Sequence, residues 1–115
     1  MASTFKNAGI TVPVVDTSAG NLFAAGASAT AVIHALYISN KSTTASATVN
    51  VKVTTDGGST FYHIGKSLEV PPNNTLTLDK PVNLENSDII RVIADPNPDS
   101  SSVNVEAYAS ILELT

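Results

Sequence analysis

The chain has 115 residues, 43% hydrophobic, 14% charged and 5% aromatic, with a formal net charge of −4. That length fits one domain. Low charge and many branched apolar residues exclude a disordered chain, and the acidic balance disfavours direct nucleic-acid binding.

With no cysteine, disulfides, thiolate metal sites and cysteine nucleophiles drop out together. No apolar run nears the ~18 residues that cross a bilayer, and no charged segment leads into an apolar one as in a secretory leader. The chain carries 13 Ser and 13 Thr, and its apolar part is mostly Ala (14) and Val (12). Such a composition favours strands.

In chain order, residues 10–15 (Ile-Thr-Val-Pro-Val-Val) are strand-like. Pro13 cannot donate a ladder hydrogen bond, so this is an edge strand or an extended arm. Residues 19–31 hold helix-friendly side chains, but Gly20, Gly26 and Thr30 favour a loop with a short strand near 22–24. Residues 31–38 are apolar on both faces, with Val32, His34, Leu36 and Ile38 on the bulkier one. Residues 46–55 alternate cleanly, Ala47, Val49, Val51 and Val53 against Thr48, Asn50, Lys52 and Thr54, the mark of a half-buried strand.

Asp56-Gly57-Gly58-Ser59 then reads as a turn into a strand over 60–64. Pro71-Pro72-Asn73-Asn74 feeds a strand at 75–78 with Leu76 and Leu78 inward, and a short segment follows at 81–84. Residues 85–88 turn the chain into a strand at 89–94, and residues 95–102 form the longest loop. In the last strand, 103–114, Val103, Val105, Ala107, Ala109 and Ile111 share a face until Glu113 breaks the pattern. The buried side is therefore expected to switch near Ser110, at a bulge. About eight strands predict an all-β chain, a single β-sandwich. Jelly-roll-like topology and immunoglobulin-like topology both remain open. Residues 1–21 read as an N-terminal arm or edge strand and 22–115 as the sandwich domain.

Chemistry is sparse. His34 and His63 are isolated strand histidines, for which a packing role is the ordinary one. There is no nucleophile-elbow, zinc-protease or phosphate-loop motif. Glu85 and Asp88 flank a turn, and the two carboxylates of the 95–99 loop are too few for a calcium cage. No catalytic, cofactor or metal residue is expected, and the chain reads as a non-enzyme. Residues 54–61 resemble a single Asp-box, in which an Asp side chain bonds turn amides and an aromatic covers the hairpin. One copy marks a stable hairpin tip. Asn40-Lys41-Ser42 and Asn73-Asn74-Thr75 match the glycosylation pattern by chance in an Asn- and Thr-rich chain.

Several segments, taken in order, resemble small virion structural proteins of tailed bacteriophages, especially cyanophages. They are His34-Ala-Leu-Tyr-Ile-Ser-Asn40, Val49-Asn-Val-Lys-Val53, Thr60-Phe-Tyr-His-Ile-Gly-Lys66, the stretch from Val70 to Val92, and Ile111-Leu-Glu113. The resemblance covers roughly residues 32–114. It implies a β-sandwich that assembles on the particle, either as a capsid decoration (cement) protein or as a neck or tail component. The partners it implies are the major capsid protein or other virion proteins, within a homo-oligomer, a trimer being favoured. Localisation would be the virion, with no membrane and no direct nucleic acid.

An assembly protein needs apolar anchors at an arm or an edge. The sequence offers Phe5, Ile10, Val12, Pro13, Val14 and Val15 in the arm, then Phe23. The competing class is a receptor- or carbohydrate-binding module. It is disfavoured by the absence of Trp and by only three Tyr and three Phe.

Overall fold

The computed structural model describes residues 3–14, 16–56, 59–94 and 104–115. Among them nine strands form: β1 Ser3–Thr11, β2 Asn21–Ala24, β3 Thr30–Asn40, β4 Ala47–Thr54, β5 Phe61–Val70, β6 Asn74–Leu78, β7 Val82–Leu84, β8 Ile89–Ala94 and β9 Val105–Leu114. The one helical element is a single 3₁₀ turn, Ser18–Gly20. Four antiparallel pairings nest inside one another: β4 with β5, β3 with β6 and β7, β2 with β8, and β1 with β9.

This long ribbon is rolled so that β3 also meets β9 and β4 meets β8. One sheet then runs β1-β9-β3-β6, with β7 also on β3, and the other runs β2-β8-β4-β5. The all-β sandwich is thus present, and its topology is the jelly roll.

The inner faces supply the core. Ile33, Leu36, Ile38, Val105, Ala107, Ala109 and Ile111 of the first sheet meet Leu22, Val49, Val51, Ile90 and Val92 of the second. Alternation in β4 is as the sequence predicts from Ala47 through Lys52; beyond it Val53 is only half-buried, and Thr54, expected outward, is buried with its hydroxyl accepting from Ile89 N–H at 3.0 Å. In β3 and β9 the structure also departs from the expected alternation. In β9 there is no switch at Ser110: Val105, Ala107, Ala109, Ile111 and Glu113 all point inward. Glu113 can do so because Lys6 Nζ, across the ladder on β1, lies 2.7 Å from its carboxylate.

The bulge sits on the partner strand. Ile33 pairs with Ile111 and Ala35 with Ser110, leaving His34 as the extra residue. Parity therefore flips within β3. Ala31 and Ile33 are buried before the bulge, Leu36, Ile38 and Asn40 after it, and His34 and Val32 leave the inner face. β5 also runs further than the expected 60–64. It slips twice against β4, pairing Val49 with Leu68, Val51 with Gly65 and Lys52 with His63. At the first slip, between Leu68 and Gly65, Ser67 adopts φ 55°, and its N–H donates to Asn50 Oδ1 at 2.8 Å.

The N-terminal strand begins and ends earlier than residues 10–15. Residues 3–11 pair with β9 along their whole length, as a sheet edge. Pro13 falls just past the strand, where its missing N–H costs no ladder bond. Val12 N–H donates to Val105 O at 2.8 Å and Ala94 N–H donates to Pro13 O at 2.9 Å, so the chain crosses here from one sheet to the other. Gly20 closes the crossover against β8. A Cβ there would stand 2.8 Å from Val92 O and 2.4 Å from Ile93 Cδ1, so no side chain fits.

Asn40 organises the β3–β4 connector. Its amide donates to Ala45 O and Val70 O, at 2.9 and 3.0 Å, and its Oδ1 accepts from Ser42 N–H at 3.0 Å. Ser42 Oγ in turn accepts from the N–H groups of Thr44 and Ala45. A side chain so buried and so bonded is no glycosylation acceptor, in keeping with the chance reading of that pattern. Asn40→Ala strands two carbonyls and an N–H in a buried site, at a cost of about 2–3 kcal/mol. Urea unfolding should show a lower midpoint at unchanged slope; a loss below about 0.5 kcal/mol would mean water replaces the amide.

Candidate docking face

The pairing register fixes which side chains share the outer face of the β1-β9-β3-β6 sheet. Four rows cross it: Phe5, Leu112 and Val32; Asn7, Ser110 and Ala35; Gly9, Tyr108, Tyr37 and Thr77; Thr11, Glu106, Ser39 and Thr75. Glu106 is the single charge in these rows, and it pairs with Lys41 beyond the end of β3 at 3.2 Å. Tyr37 and Tyr108 are directly opposite each other, with ring centroids 6.2 Å apart and planes tilted by 44°. Both are nearly half exposed, and Phe5 is 83% exposed. Around them lies a shallow recess of about 390 Å³, floored by Gly9. Its apolar area centres on Phe5, Tyr37 and Tyr108, and apart from Glu106 its polar groups are neutral hydroxyls and amides, of which Ser39 and Thr75 already bond each other at 2.9 Å.

The outer face of the other sheet is of opposite character. Asp16, from the crossover segment, accepts hydrogen bonds from Lys52 on β4 and from Arg91 on β8. Arg91 Nε also donates to Asn21 Oδ1 at 2.7 Å, and its guanidinium lies 4.2 Å from the centre of the Phe61 ring. Lys52 Nζ lies 5.2 Å from the same ring. The hydrogen bond from Lys52 does most to hold the Asp16 carboxyl below the ordinary aspartate value, with help from Arg91. These charges satisfy one another and latch the crossover to the sheet.

At the hairpin tip, Asp56 Oδ1 accepts from the N–H groups of Ser59 and Thr60, as an Asp-box aspartate would. Those bonds, that of Thr60 first, lower its pKa. Phe61, the aromatic of that pattern, packs under Arg91. Residues 57–58 and the 95–99 loop lie outside the described residues. Among the described residues no three His, Asp or Glu side chains gather as a metal site would require.

The expected anchors do not form one surface. Phe5 stands on the aromatic-centred face. Val12 is part of the core, with Ile10 and Phe23 packed against it, so these three hold the sandwich together. Val14 is exposed, but on the opposite side, beside Asp16 and Ile93. Pro13 is half-buried in the crossover, and Val15 lies outside the described residues.

Tyr37 and Tyr108, absent from that expectation, are the central aromatics of the face. The signal for them lay in their alternation with small or buried residues: Ala107 and Ala109 flank Tyr108 on the inward parity.

Solved structures share this architecture. A chain of the acid-stable capsid of the Helicobacter pylori bacteriophage KHP30 matches 100% of this chain and 89% of its own, at a TM-score of 0.51 and 16% identity. A chain of infectious bursal disease virus, Gx strain, matches at a TM-score of 0.51 and 7% identity; it covers 97% of this chain but 30% of the viral one. A chain of the cyanophage Pam1 capsid asymmetric unit is a looser match, at 0.44 and 16% identity. At these identities the likeness is one of fold. No family model and no curated protein matches the chain.

Because its folded pKa is lowered, Asp16 contributes stability that is fully present above the ordinary aspartate value. That stability is lost as pH falls through the lowered value. Asp16 is half exposed, so Asp16→Asn should cost a few tenths to about 1 kcal/mol near neutral pH. The two proteins should converge in acid, which unfolding midpoints across pH will read.

Proposed function

We propose that the chain is a structural protein of a bacteriophage particle, a capsid decoration (cement) protein that binds between major capsid subunits and stabilises the head. The observation that carries this reading is the aromatic-centred sheet face, with Glu106 as its single charge, on a jelly roll whose whole length superposes on a phage capsid chain. The earlier resemblance of the 32–114 segments to tailed-phage virion proteins points the same way.

The chain acts by binding and not by catalysis. A cement protein bridges subunits, so its binding shifts the particle toward the assembled state by mass action. That task needs shape, apolar contact and few charges to desolvate. The outer face of β1-β9-β3-β6 supports this reading with exposed aromatic area and a single, paired charge, and Tyr37 and Tyr108 are the residues expected to carry most of the contact energy.

A specific observation favours a second reading. Two exposed tyrosines side by side could stack on a sugar ring, as in a receptor- or carbohydrate-binding module on the virion. Their 44° tilt makes a poorer platform than coplanar rings would.

Co-sedimentation with emptied capsids stripped of the chain, run beside a glycan array, separates the readings. Capsid binding without glycan binding supports decoration. Glycan binding without capsid binding overturns it in favour of the second reading, and ring-shaped oligomers that ignore capsids overturn it in favour of a neck or tail component. On the first reading Tyr37→Ser should weaken capsid binding by about 2 kcal/mol, roughly thirtyfold, with the unfolding midpoint little changed.

A further inference from the structure

Sheet edges present unpaired N–H and C=O groups, and proteins ordinarily guard them with bulges, breaks, prolines or charges. Three edges of this sandwich are guarded. β2 has four residues and a register shift against β8. β5 slips twice and carries a left-handed Ser67. On the far side of the first sheet the edge is broken into β6 and β7, with Lys80 and Pro81 between them.

β1 is different. It has nine residues in unbroken register on β9, with no bulge and no proline. Its one charge, Lys6, already lies against Glu113. Among the described residues no strand pairs with its outer side.

Parity shows which groups are free. Val12 N–H donates to Val105 O, so the even-numbered residues bond inward to β9. The odd-numbered residues Ser3, Phe5, Asn7, Gly9 and Thr11 therefore direct N–H and C=O outward. Their side chains lie on the outer face, where Glu106 opposite Thr11 is the single charge.

The geometry points to a two-fold dimer in which β1 pairs antiparallel with β1 of a second copy of this chain, centred on Asn7. In that register every odd residue faces an odd residue and the whole strand is used. Ser3 is opposite Thr11 of the partner, and Phe5 is opposite Gly9 of the partner.

The last pair decides the occupant. Phe5 is 83% exposed, an unusual state for a phenylalanine in a strand. Gly9 leaves a gap in the outer face beside Tyr108, at the floor of the 390 Å³ recess. The Phe5 ring of each copy covers Gly9 of the other and meets Tyr108. Lys6 faces Ala8, which leaves room for its side chain. The strand is thus complementary to itself, as an isologous contact requires, and it yields a dimer where the sequence favoured a trimer.

Sedimentation equilibrium of the full chain should give twice its mass. A side chain at position 9 meets its own chain at ordinary distances, Ala107 O at 3.6 Å and Tyr108 Cδ2 at 3.8 Å, so Gly9→Val fills the seat without disturbing the subunit. It should raise the dimer dissociation constant at least tenfold. If Gly9→Val fails to fold, Phe5→Ser removes the same contact from the exposed side. Because the chain has no cysteine, Asn7→Cys tests the axis directly. Hydrogen-bonded antiparallel partners lie about 5.5 Å apart at Cα, within disulfide reach.

Mild oxidation should give a covalent dimer with Asn7→Cys and far less with Phe5→Cys. A wild-type chain that stays monomeric overturns the proposal. So does a trimer, or a dimer indifferent to Phe5→Ser whose Asn7→Cys form does not cross-link. Dimers that ignore capsids would leave this contact standing and overturn only the capsid role.

Discussion

β9 is the strand on which the other elements are registered. It holds β1 on one side and β3 on the other, and its inward row of Val105, Ala107, Ala109 and Ile111 forms the middle of the core. A slip of one residue would carry Glu106 and Tyr108 inward and turn the alanines out. The two alanines also set the spacing. Opposite Val49, Val51, Ile90 and Val92 they leave no room for larger side chains, since extra methylenes in a packed core force off-rotamer positions. The composition noted at the outset, rich in Ala and Val, is the composition of a thin sandwich.

Strand existence is legible from alternation, and β4 follows it from Ala47 through Lys52; only its end departs, where Thr54 turns inward to bond Ile89 N–H. Parity failed where a partner distant in sequence decides it. Glu113 reads as an outward residue because a lone carboxylate does not go into a core; Lys6, on a strand at the other end of the chain, makes the inward position tolerable. The bulge at His34 carries no glycine or proline to announce it, so an apolar run appeared to keep one parity throughout.

β1 was read too late because its inward set, Thr4, Lys6, Ala8 and Ile10, is half polar, as an edge strand permits. Of the candidate docking face, the sequence names Phe5. Tyr37 and Tyr108 become neighbours only through the β3–β9 register, which sequence alone does not fix.

The two outer faces divide the charges unequally, and the crossover explains why. Asp16, on the crossover, lies over the β2-β8-β4-β5 sheet, and Lys52 and Arg91 supply the cations that hold it there. Their charge is neutralised within the subunit and stacked on Phe61. Among the described residues the other sheet's outer face carries no such latched segment. Its outer rows can be Ser, Thr, Asn, Ala and aromatic, which is costly for isolation in water and favourable for contact.

In the proposed dimer, edge pairing and face docking reinforce each other through symmetry. A two-fold axis at Asn7 runs perpendicular to the sheet, so both copies turn their aromatic-centred faces to the same side. The paired strands form one continuous sheet carrying two Tyr37–Tyr108 patches in fixed relation. Once one patch docks, the second is held near its own site and binds as an intramolecular step, with the avidity this brings. Each contact can then be weak by itself. That matches a face with two tyrosines at its centre and no buried charge to add strength: backbone hydrogen bonds along β1 supply the rigidity, and the face supplies modest affinity twice.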